Sequence, residues 1–435
     1  MSALKTQIAR NFVRIYTHPG LRRLRRARAT LWRKMTGASA QVHYFHQADD
    51  PYSHLCAQVL GRLAADYQIT LLPHLVSPPQ DSAAPDRARL AHWSLRDAAT
   101  LAQAYGLQAP QCPDGALPAA PKVQAAEAAL AAALDDGTFV AQAASISAGL
   151  WQPGAQAAAP ANAAPARVAS AKAQGDARRT RAGHYLGGTF YYAGEWYWGL
   201  DRLHFLEERL RDEGLCRNPS APLIAPVHEV ALAPLPGPRA APGTTLDYFL
   251  SFRSPYTYLA LPRVRALAAH HGAELRLRFV LPMVMRGLPV PVEKRLYIVS
   301  DVAREAQRLG MAFGNAVDPV GKPVERGYAL LHRAIAAGKG IEFAASFLQG
   351  VWADGLDAGS DSGLNAIAAR AGFDAAWVQA ALPDESWRAV AAANREDLLA
   401  QELWGVPSFR VNDLPGHWGQ DRLWVIEQEL GAARA

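Results

Sequence analysis

The sequence predicts an α/β protein built from two tandem domains that share one order of strands and helices. Three features lead to this prediction: each half alternates β-rich and helical stretches, the halves repeat each other, and a proline-rich segment separates them. The chain has 435 residues, more than one hydrophobic core usually serves. Half of its residues are hydrophobic and 19% are charged, which excludes a fully disordered chain. No apolar run approaches the roughly 20 residues that span a bilayer, which excludes a polytopic membrane protein.

An internal repeat relates the two halves. The segment VHYF at 42–45 matches LDYF 204 residues further on, and DPYSHL at 50–55 matches SPYTYL at the same spacing. This register continues without a gap as far as Gly106 and Gly310. Near the ends of the two blocks the spacing becomes 220, where WGLDRL at 198–203 matches WGQDRL. We interpret the pattern as a tandem duplication with a 16-residue length difference in its middle.

Both blocks show the same succession of predicted elements: strand, helix, strand, a long Ala-rich helical stretch, a hairpin and a final helix. In the first block the predicted ranges are 42–45, 53–67, 69–76, 87–180, 189–197 and 200–210. In the second block they are 246–250, 256–271, 274–281, 293–403, 408–418 and 421–430. This order is the thioredoxin-like arrangement with an inserted all-helical subdomain.

The predicted organisation has four segments. They are a basic helical extension, a first domain, a proline-rich linker and a second domain, at 1–40, 41–215, 216–243 and 244–435. Seven prolines lie between Pro219 and Pro242, a density that prevents regular helix and favours an extended, semi-rigid linker. Pro19-Gly20 divides the basic extension into two short helix candidates.

Positive charge is concentrated in the basic extension. The chain has a formal net charge of +6, and residues 1–40 hold ten Lys or Arg and no acidic residue, so residues 41–435 carry −4. No recognised nucleic-acid-binding module is present, and nucleic acid is therefore not an expected partner. The Arg-rich helices favour attachment of residues 1–35 to an anionic membrane surface or an acidic partner. A solvated or domain-docked helical arm is the alternative.

The cysteines exclude several classes of protein. Cys56, Cys112 and Cys216 are far apart, odd in number and form no C-x-x-C motif. A disulfide framework, a structural zinc site and a dithiol redox motif are therefore not expected. The N-terminus has no uninterrupted apolar stretch with a small-residue cleavage site, so the expected location is the reducing cytoplasm, with peripheral membrane contact as an option.

Ser254 is the first candidate site residue. It follows the first strand of the second block and precedes Pro255, which suits the first turn of a helix. A serine here can cap the helix, because serine is a preferred N-cap residue. It can also donate a hydrogen bond to an incoming thiolate, at a helix end that favours negative charge. The residues alone leave both interpretations open.

Two further segments of the second block have features of a ligand site. Val406-Pro407, between a glycine and a strand, is a candidate cis peptide. Gln420 and Asp421 stand at the start of the last helix. Asp421 is either the N-cap of that helix or part of a site that captures the charged ends of a small ligand.

In this order and spacing, SPYTYLA, GVPSF and WGQDRL resemble the 2-hydroxychromene-2-carboxylate isomerase family, which is related to kappa-class glutathione transferases and more distantly to DsbA oxidoreductases. The segment WADG at 352–355 is similar to the family's W-x-E-G segment. The family's K-x-x-Y-x-x-x-D-x-x-R stretch is matched by Lys294, Tyr297, Asp301 and Arg304. The resemblance covers nearly all of residues 244–435.

The resemblance implies glutathione as the cofactor. Ser254 would hold its sulfur as the thiolate, and Val406, just before Pro407, would pair with the cysteinyl backbone. Gln420 and Asp421 would hold the γ-glutamyl end.

Lys294 would supply a positive charge near the glycyl carboxylate or an anionic substrate. The implied chemistry is reversible addition of a thiolate to a conjugated carbonyl compound, bond rotation and elimination. The protein would lower the pKa of the thiol and align the reactants. No metal is required.

The first block departs from this pattern. Asp50 stands where the second block has Ser254, and an acidic side chain there would repel a thiolate. Gly188 corresponds to Pro407 and Leu90 to Lys294. We therefore expect a degenerate repeat without glutathione chemistry, which would be structural, form a pseudo-dimer with the second block, or bind another ligand.

The first block also gathers several histidines and aspartates: His43, His46, Asp49, Asp50, His54 and His74. Their spacings match no established metal motif, and neighbouring strand residues face opposite sides of a sheet. Scattered surface histidines are the preferred interpretation.

The leading functional prediction is a glutathione-dependent isomerase acting on a small conjugated or aromatic electrophile. The alternatives are a kappa-like glutathione transferase and a non-catalytic binding or scaffold protein. The expected assembly is either a pseudo-dimer of the two domains or a homodimer. A disulfide oxidoreductase is disfavoured, because residues 254 and 257 are not cysteines and the thiolate is the reactant in that chemistry.

Overall fold

Two four-stranded sheets, one in each half of the chain, form the framework of this computed structural model, which describes residues 3–112, 117–152, 163–232 and 240–433. The strands of the first sheet are β1 (Ala40–His46), β2 (Ile69–Leu75), β3 (Thr189–Tyr192) and β4 (Glu195–Trp198). Those of the second are β5 (Thr245–Leu250), β6 (Glu274–Phe279), β7 (Ser408–Val411) and β8 (His417–Trp418). The spatial orders, β2-β1-β3-β4 and β6-β5-β7-β8, are the same.

The strand directions also agree between the two sheets. The first two strands of each half are parallel, and the closing hairpin pairs antiparallel with the first strand. Tyr44 lies opposite Phe190 in one sheet, and Tyr248 lies opposite Phe409 in the other. The two sheets thus share strand order, strand directions and a facing tyrosine–phenylalanine pair.

Helices fill the intervals that the sequence assigns to them. In the N-terminal half they are α1 (Ala3–Thr17), α2 (Pro19–Thr36), α3 (Pro51–Asp66), α4 (Arg87–Tyr105), α5 (Ala120–Asp135), α6 (Phe139–Trp151), α7 (Pro165–Arg181) and α8 (Leu203–Asp212). In the C-terminal half they are α9 (Pro255–His271), α10 (Val292–Arg308), α11 (Lys322–Ala336), α12 (Gly340–Gln349), α13 (Asp361–Arg370), α14 (Ala375–Ala381), α15 (Trp387–Ala400) and α16 (Leu423–Ala432). The predicted order of elements is thus present in both halves. Among the described residues, no helix combines the length and the apolar character that crossing a bilayer requires.

The chain divides into two compact units. The C-terminal unit comprises Met1–Arg23, His228–Val290 and Ile298–Ala435. The N-terminal unit comprises Leu24–Val227 and Pro291–Tyr297. The basic segment 1–40 therefore belongs partly to each unit, and seven residues of the second block belong to the first unit.

The first strand of each sheet is buried on both faces. Tyr44 and Phe45 point to opposite sides of β1, yet both are fully buried, and the same holds for Tyr248 and Phe249 in β5. Such burial is typical of a strand at the centre of a sheet that helices cover on both sides.

A tyrosine on each central strand fixes the start of the following helix. The Tyr44 hydroxyl donates to the Ser53 carbonyl over 3.1 Å, and the Tyr248 hydroxyl donates to the Thr257 carbonyl over 2.8 Å. A neighbouring pair repeats as well: Tyr52 donates to Asp97 over 2.7 Å. Its counterpart is the 2.8 Å hydrogen bond from Tyr256 to Asp301.

Each final helix uses a glutamate to hold part of the proline-rich linker. Glu207 of α8 accepts hydrogen bonds from the backbone N–H groups of Ile224 and Ala225, at 2.8 and 3.2 Å. Glu427, the equivalent residue of α16, accepts from Ala231 and Leu232 at 2.9 and 2.7 Å. Residues 217–232 contain no helix or strand, as predicted, and residues 233–239 of the linker lie outside the described residues.

The two glutamates differ in burial. Glu207 is fully buried, also accepts from the Tyr67 hydroxyl over 2.9 Å, and burial raises its pKa. Glu427 is half-buried. Water can therefore replace a lost partner at Glu427 but not at Glu207.

We expect Glu207→Gln to destabilise the N-terminal unit by about 1–3 kcal/mol, because the amide offers one accepting oxygen where two backbone N–H groups need partners. The matched substitution Glu427→Gln should cost the C-terminal unit less than about 1 kcal/mol. Urea unfolding of the full-length protein, followed separately in each unit by hydrogen exchange, measures both. A loss at Glu427 as large as that at Glu207 would contradict the burial argument.

Candidate functional site

Ser254 caps α9. Its backbone is extended, with φ −94° and ψ 112°, and its side chain accepts a hydrogen bond from the Thr257 N–H at 3.3 Å. Pro255 occupies the first helical position, where its missing N–H removes no hydrogen bond. The capping interpretation of Ser254 is confirmed. The Ser254 hydroxyl also donates to the Val406 carbonyl over 3.1 Å, so the cap and the loop before β7 are in direct contact.

The loop before β7 contains the cis peptide that the sequence suggested. The Val406-Pro407 bond is cis. Gly405 lies directly under the Trp418 indole, and a Cβ on this residue would come within 2.1 Å of the Trp418 ring. Only glycine leaves room for this contact. The Pro407 carbonyl accepts from the Gly419 N–H over 2.9 Å, which ties the loop to the segment that starts the last helix.

Gln420 and Asp421 continue this patch. Gln420 is only 2% exposed, accepts a hydrogen bond from Arg263 of α9, and donates to Glu305 over 3.3 Å. The Gln420 amide also contacts Asp421. The interpretation of Asp421 as a helix cap is wrong: α16 has Arg422 at its N-cap position and no capping side-chain hydrogen bond. A single turn of 3-10 helix, Gln420–Arg422, places Asp421 before the α-helix begins.

The structure thus brings five of the six predicted site residues into one connected patch. Ser254 contacts Val406, Pro407 contacts Gly419, and Gln420 and Asp421 follow directly in sequence. They share the C-terminal unit, where they lie at the start of α9, in the loop before β7 and in the turn before α16.

Lys294 belongs to the N-terminal unit. Its ammonium group donates to the Ala83 carbonyl over 2.9 Å and lies 6.0 Å from the centre of the Tyr185 ring. Burial lowers the pKa of Lys294 to about 8. The motif that contains Lys294 is therefore divided: Asp301 and Arg304 lie in the C-terminal unit, where they pair at 2.9 Å.

Arg263 and Glu305 adjoin the patch of predicted site residues, although nothing in the sequence indicated either of them. Arg263 lies in the middle of α9 and Glu305 on α10, and both contact the Gln420 amide. Burial lowers the pKa of Arg263, while Asp421 and Glu305 oppose that effect. The internal repeat does not indicate a role for Arg263, because the corresponding residue of the first block is Val59.

The equivalent location in the N-terminal unit is differently built. Asp50 caps α3 by accepting from the Ser53 N–H at 2.8 Å and from the Ser53 hydroxyl at 2.7 Å. Burial raises the pKa of Asp50 to about 6. Gly188, with φ 59°, stands at the Pro407 position, and a Cβ on it would lie 3.1 Å from an Asp50 carboxylate oxygen. The loop backbone therefore packs closely against the helix start.

The prediction of surface histidines is wrong for His43, His46 and His54, which are buried, whereas His74 is half-buried. His46 and His54 are fully buried and His43 is 7% exposed, because β1 is covered on both faces and α3 packs against it. Burial lowers the pKa of His46 to about 3 and of His43, His54 and His74 to about 4.

These rings have hydrogen-bond partners within the N-terminal unit. His43 contacts His74 at 2.9 Å, and His54 contacts the Ser147 hydroxyl at 3.0 Å. Across the described ranges, no group of three or more His, Cys, Asp or Glu side chains is arranged to hold a metal ion.

Comparison with known proteins agrees with the architecture of the C-terminal unit. Residues 245–431 match a family model described as a DSBA-like thioredoxin domain. A 2-hydroxychromene-2-carboxylate isomerase of Pseudomonas putida is 24% identical over 202 residues, spanning 43% of this chain and 94% of that protein.

Two solved structures are similar to this chain at comparably low sequence identity. A 2-hydroxychromene-2-carboxylate isomerase structure has 22% identity and a TM-score of 0.37, covering 43% of this chain and 95% of that one. The cytosolic disulfide reductase DsbM of Pseudomonas aeruginosa, in a structure with GSH, has 20% identity and a TM-score of 0.32, covering 43% and 96%. From the family match and the sheet order, residues 245–431 form a DsbA-like thioredoxin domain with weak homology to 2-hydroxychromene-2-carboxylate isomerase.

Proposed function

We propose that the C-terminal unit is a glutathione-dependent isomerase for a small conjugated or aromatic electrophile. The observation that carries the proposal is the Ser254 hydroxyl at the N-terminus of α9, in contact with the Val406 carbonyl and joined through Pro407 to Gly419. The homology to an isomerase and the GSH in the DsbM structure support the choice of cofactor. When bound, glutathione would supply a thiolate that adds reversibly to a conjugated double bond and is then eliminated.

The residues present fit an anionic sulfur at this position. Ser254 is half-buried, and its hydroxyl hydrogen, now donated to Val406, can be turned to a ligand by rotation about one side-chain bond. The dipole of α9, whose positive end lies at this N-terminus, favours negative charge at the same point. Together they lower the pKa of a thiol held there, as helix N-termini do for cysteine.

The polar patch beside the serine suits the charged end of a peptide-like ligand. The half-buried Val406 would offer backbone groups to the cysteinyl unit. Gln420 and Asp421 would hold the γ-glutamyl end, with Arg263 keeping the Gln420 amide in place. Lys294, assigned to the glycyl carboxylate or an anionic substrate, is the least supported of these assignments, because it belongs to the other unit.

A glutathione transferase is the second candidate. The same thiolate would then attack an electrophile without later elimination, so the two activities share Ser254 and differ only in whether the carbon–sulfur bond persists. Detection of a stable glutathione conjugate, as opposed to an isomerised product with glutathione recovered, separates them.

The N-terminal unit is, in this proposal, a degenerate tandem copy that does not use glutathione. The shared sheet order and the repeated tyrosine hydrogen bonds support the duplication. Asp50 in place of serine, and the close approach of Gly188 to it, argue against a thiolate in that unit.

Ser254→Ala should weaken glutathione binding by roughly ten- to a hundredfold, since a hydrogen bond to a charged group contributes about 1.5–3 kcal/mol. Isothermal calorimetry measures the affinity, and ultraviolet absorbance of the thiolate measures the pKa of bound glutathione, which should rise. Loss of the cap should cost only about 1 kcal/mol of stability.

The matched control for that experiment is Asp50→Asn, which keeps a capping side chain at the equivalent position of the N-terminal unit. It should leave glutathione affinity and thiolate absorbance unchanged. Unaltered binding in Ser254→Ala, with its fold intact by circular dichroism, would contradict the proposed site.

The pH dependence of stability tests the effect of having Asp50, in place of a serine, at the start of α3 in the N-terminal unit. The folded-state pKa of Asp50, about 6, lies above the value of about 3.9 for an unfolded chain. The contribution of protonated Asp50 to the free energy of unfolding is therefore fully present below pH ~4 and is lost as the pH rises through ~6. Asp50→Asn should gain stability relative to the natural protein over this window, as measured by urea unfolding at pH 4.5 and 7.5. Parallel pH profiles would contradict the raised pKa.

A further inference from the structure

We propose that α1 and α2 attach this protein to an anionic membrane surface, each lying along the lipid headgroups through the apolar face that the fold leaves uncovered. The proposal concerns the basic segment and is independent of glutathione chemistry. It rests on the position of individual side chains around each helix.

One face of α1 packs on the C-terminal unit and the opposite face is open. Arg10 donates to the Asn315 side chain over 2.6 Å, Val13 packs against the hydrophobic core, and Thr17 is buried. At 100° per residue these three lie together on the helix. The opposite side of α1 carries three large apolar side chains. Their exposed fractions are 60% for Ile8, 53% for Phe12 and 58% for Ile15.

The same division holds for α2. Arg26 makes two hydrogen bonds to the Glu195 carboxylate, at 2.7 and 2.6 Å, and Arg33 pairs with Glu213 at 3.5 Å. These contacts fix one face on the N-terminal unit. The opposite face carries four large apolar side chains with exposed fractions of 58–73%, namely Leu24, Leu31, Trp32 and Met35.

Exposed apolar surface is concentrated in these helices. Of the thirteen large hydrophobic residues found exposed among the described residues, eight lie between Ile8 and Met35. Scattered exposed apolar residues are ordinary, but an aligned group on a helix marks an interaction surface.

The exposed basic side chains indicate which partner binds the apolar faces of α1 and α2. Arg14, Arg23, Arg28 and Lys34 are exposed beside the apolar stripes, and residues 1–40 contain no acidic residue. A second copy of either helix would bring like charges together, which disfavours self-association through this face. Anionic lipid headgroups attract each Lys or Arg, and the boundary below them accepts Leu, Phe and Trp side chains. An anionic bilayer surface therefore suits both the exposed basic side chains and the exposed apolar side chains of these helices.

Co-sedimentation of the full-length protein with vesicles tests the proposal. We expect binding to phosphatidylcholine vesicles containing phosphatidylserine, weak binding to pure phosphatidylcholine, and release as salt is raised. The triple variant L31S/W32S/M35S should bind about a hundredfold more weakly, because three exposed side chains lose their apolar contact with the lipid. R28E/K34E should reduce binding chiefly at low salt.

Ile335→Ser is the matched control, because Ile335 is an exposed apolar residue on α11, outside the basic segment. It should bind vesicles like the natural protein. Three outcomes would overturn the proposal: no binding to phosphatidylserine vesicles at low salt, equal binding by the triple variant, or a dimer in solution that the triple variant abolishes. The last outcome would assign the surface to a second copy of the chain.

Discussion

The hydrogen bond from a buried tyrosine to the first turn of the following helix is the contact on which each unit's arrangement depends. Tyr44 and Tyr248 stand on strands that are buried on both faces, so neither ring can move without disturbing the core. Their hydroxyls hold the carbonyls of Ser53 and Thr257, and therefore the start of α3 and of α9. The capping residue of each helix is consequently held at a defined point beside the loop that precedes the closing hairpin.

The two units share this framework and differ in a few side chains at that point. In the C-terminal unit the capping hydroxyl of Ser254 contacts the Val406 backbone, and a polar patch including Gln420 adjoins it. In the N-terminal unit a carboxylate caps the helix, and Gly188 lets the loop backbone approach it. A site with a neutral donor can accept an anionic sulfur, whereas a buried carboxyl whose pKa is raised already resists a single negative charge. The two units therefore differ at the start of this helix while they share the sheet order and the tyrosine hydrogen bonds.

Each helix of the basic segment contacts a folded unit on one side and leaves large apolar side chains exposed on the other. Arginines at helical spacing on one side form ion pairs or hydrogen bonds with the folded units, as Arg26 does with Glu195. Residues half a turn away carry the apolar stripe. Cations used in docking are thus distinct from those, such as Arg28 and Lys34, that stand exposed beside the stripe. The net charge of the segment counts both groups together and does not distinguish them.

The order of elements in both halves and the place of Ser254 at the start of a helix could be predicted from the sequence alone. The elements follow from local preferences within short segments, and their common order in the two halves agrees with motifs that match at spacings of 204 and 220 residues. Only the tertiary structure decided which distant side chains meet. Asp421 does not cap α16, the histidines of β1 are buried, Arg263 contacts Gln420, and Lys294 belongs to the N-terminal unit. Burial and pairing depend on how elements pack against one another, and no spacing within a single segment records that packing.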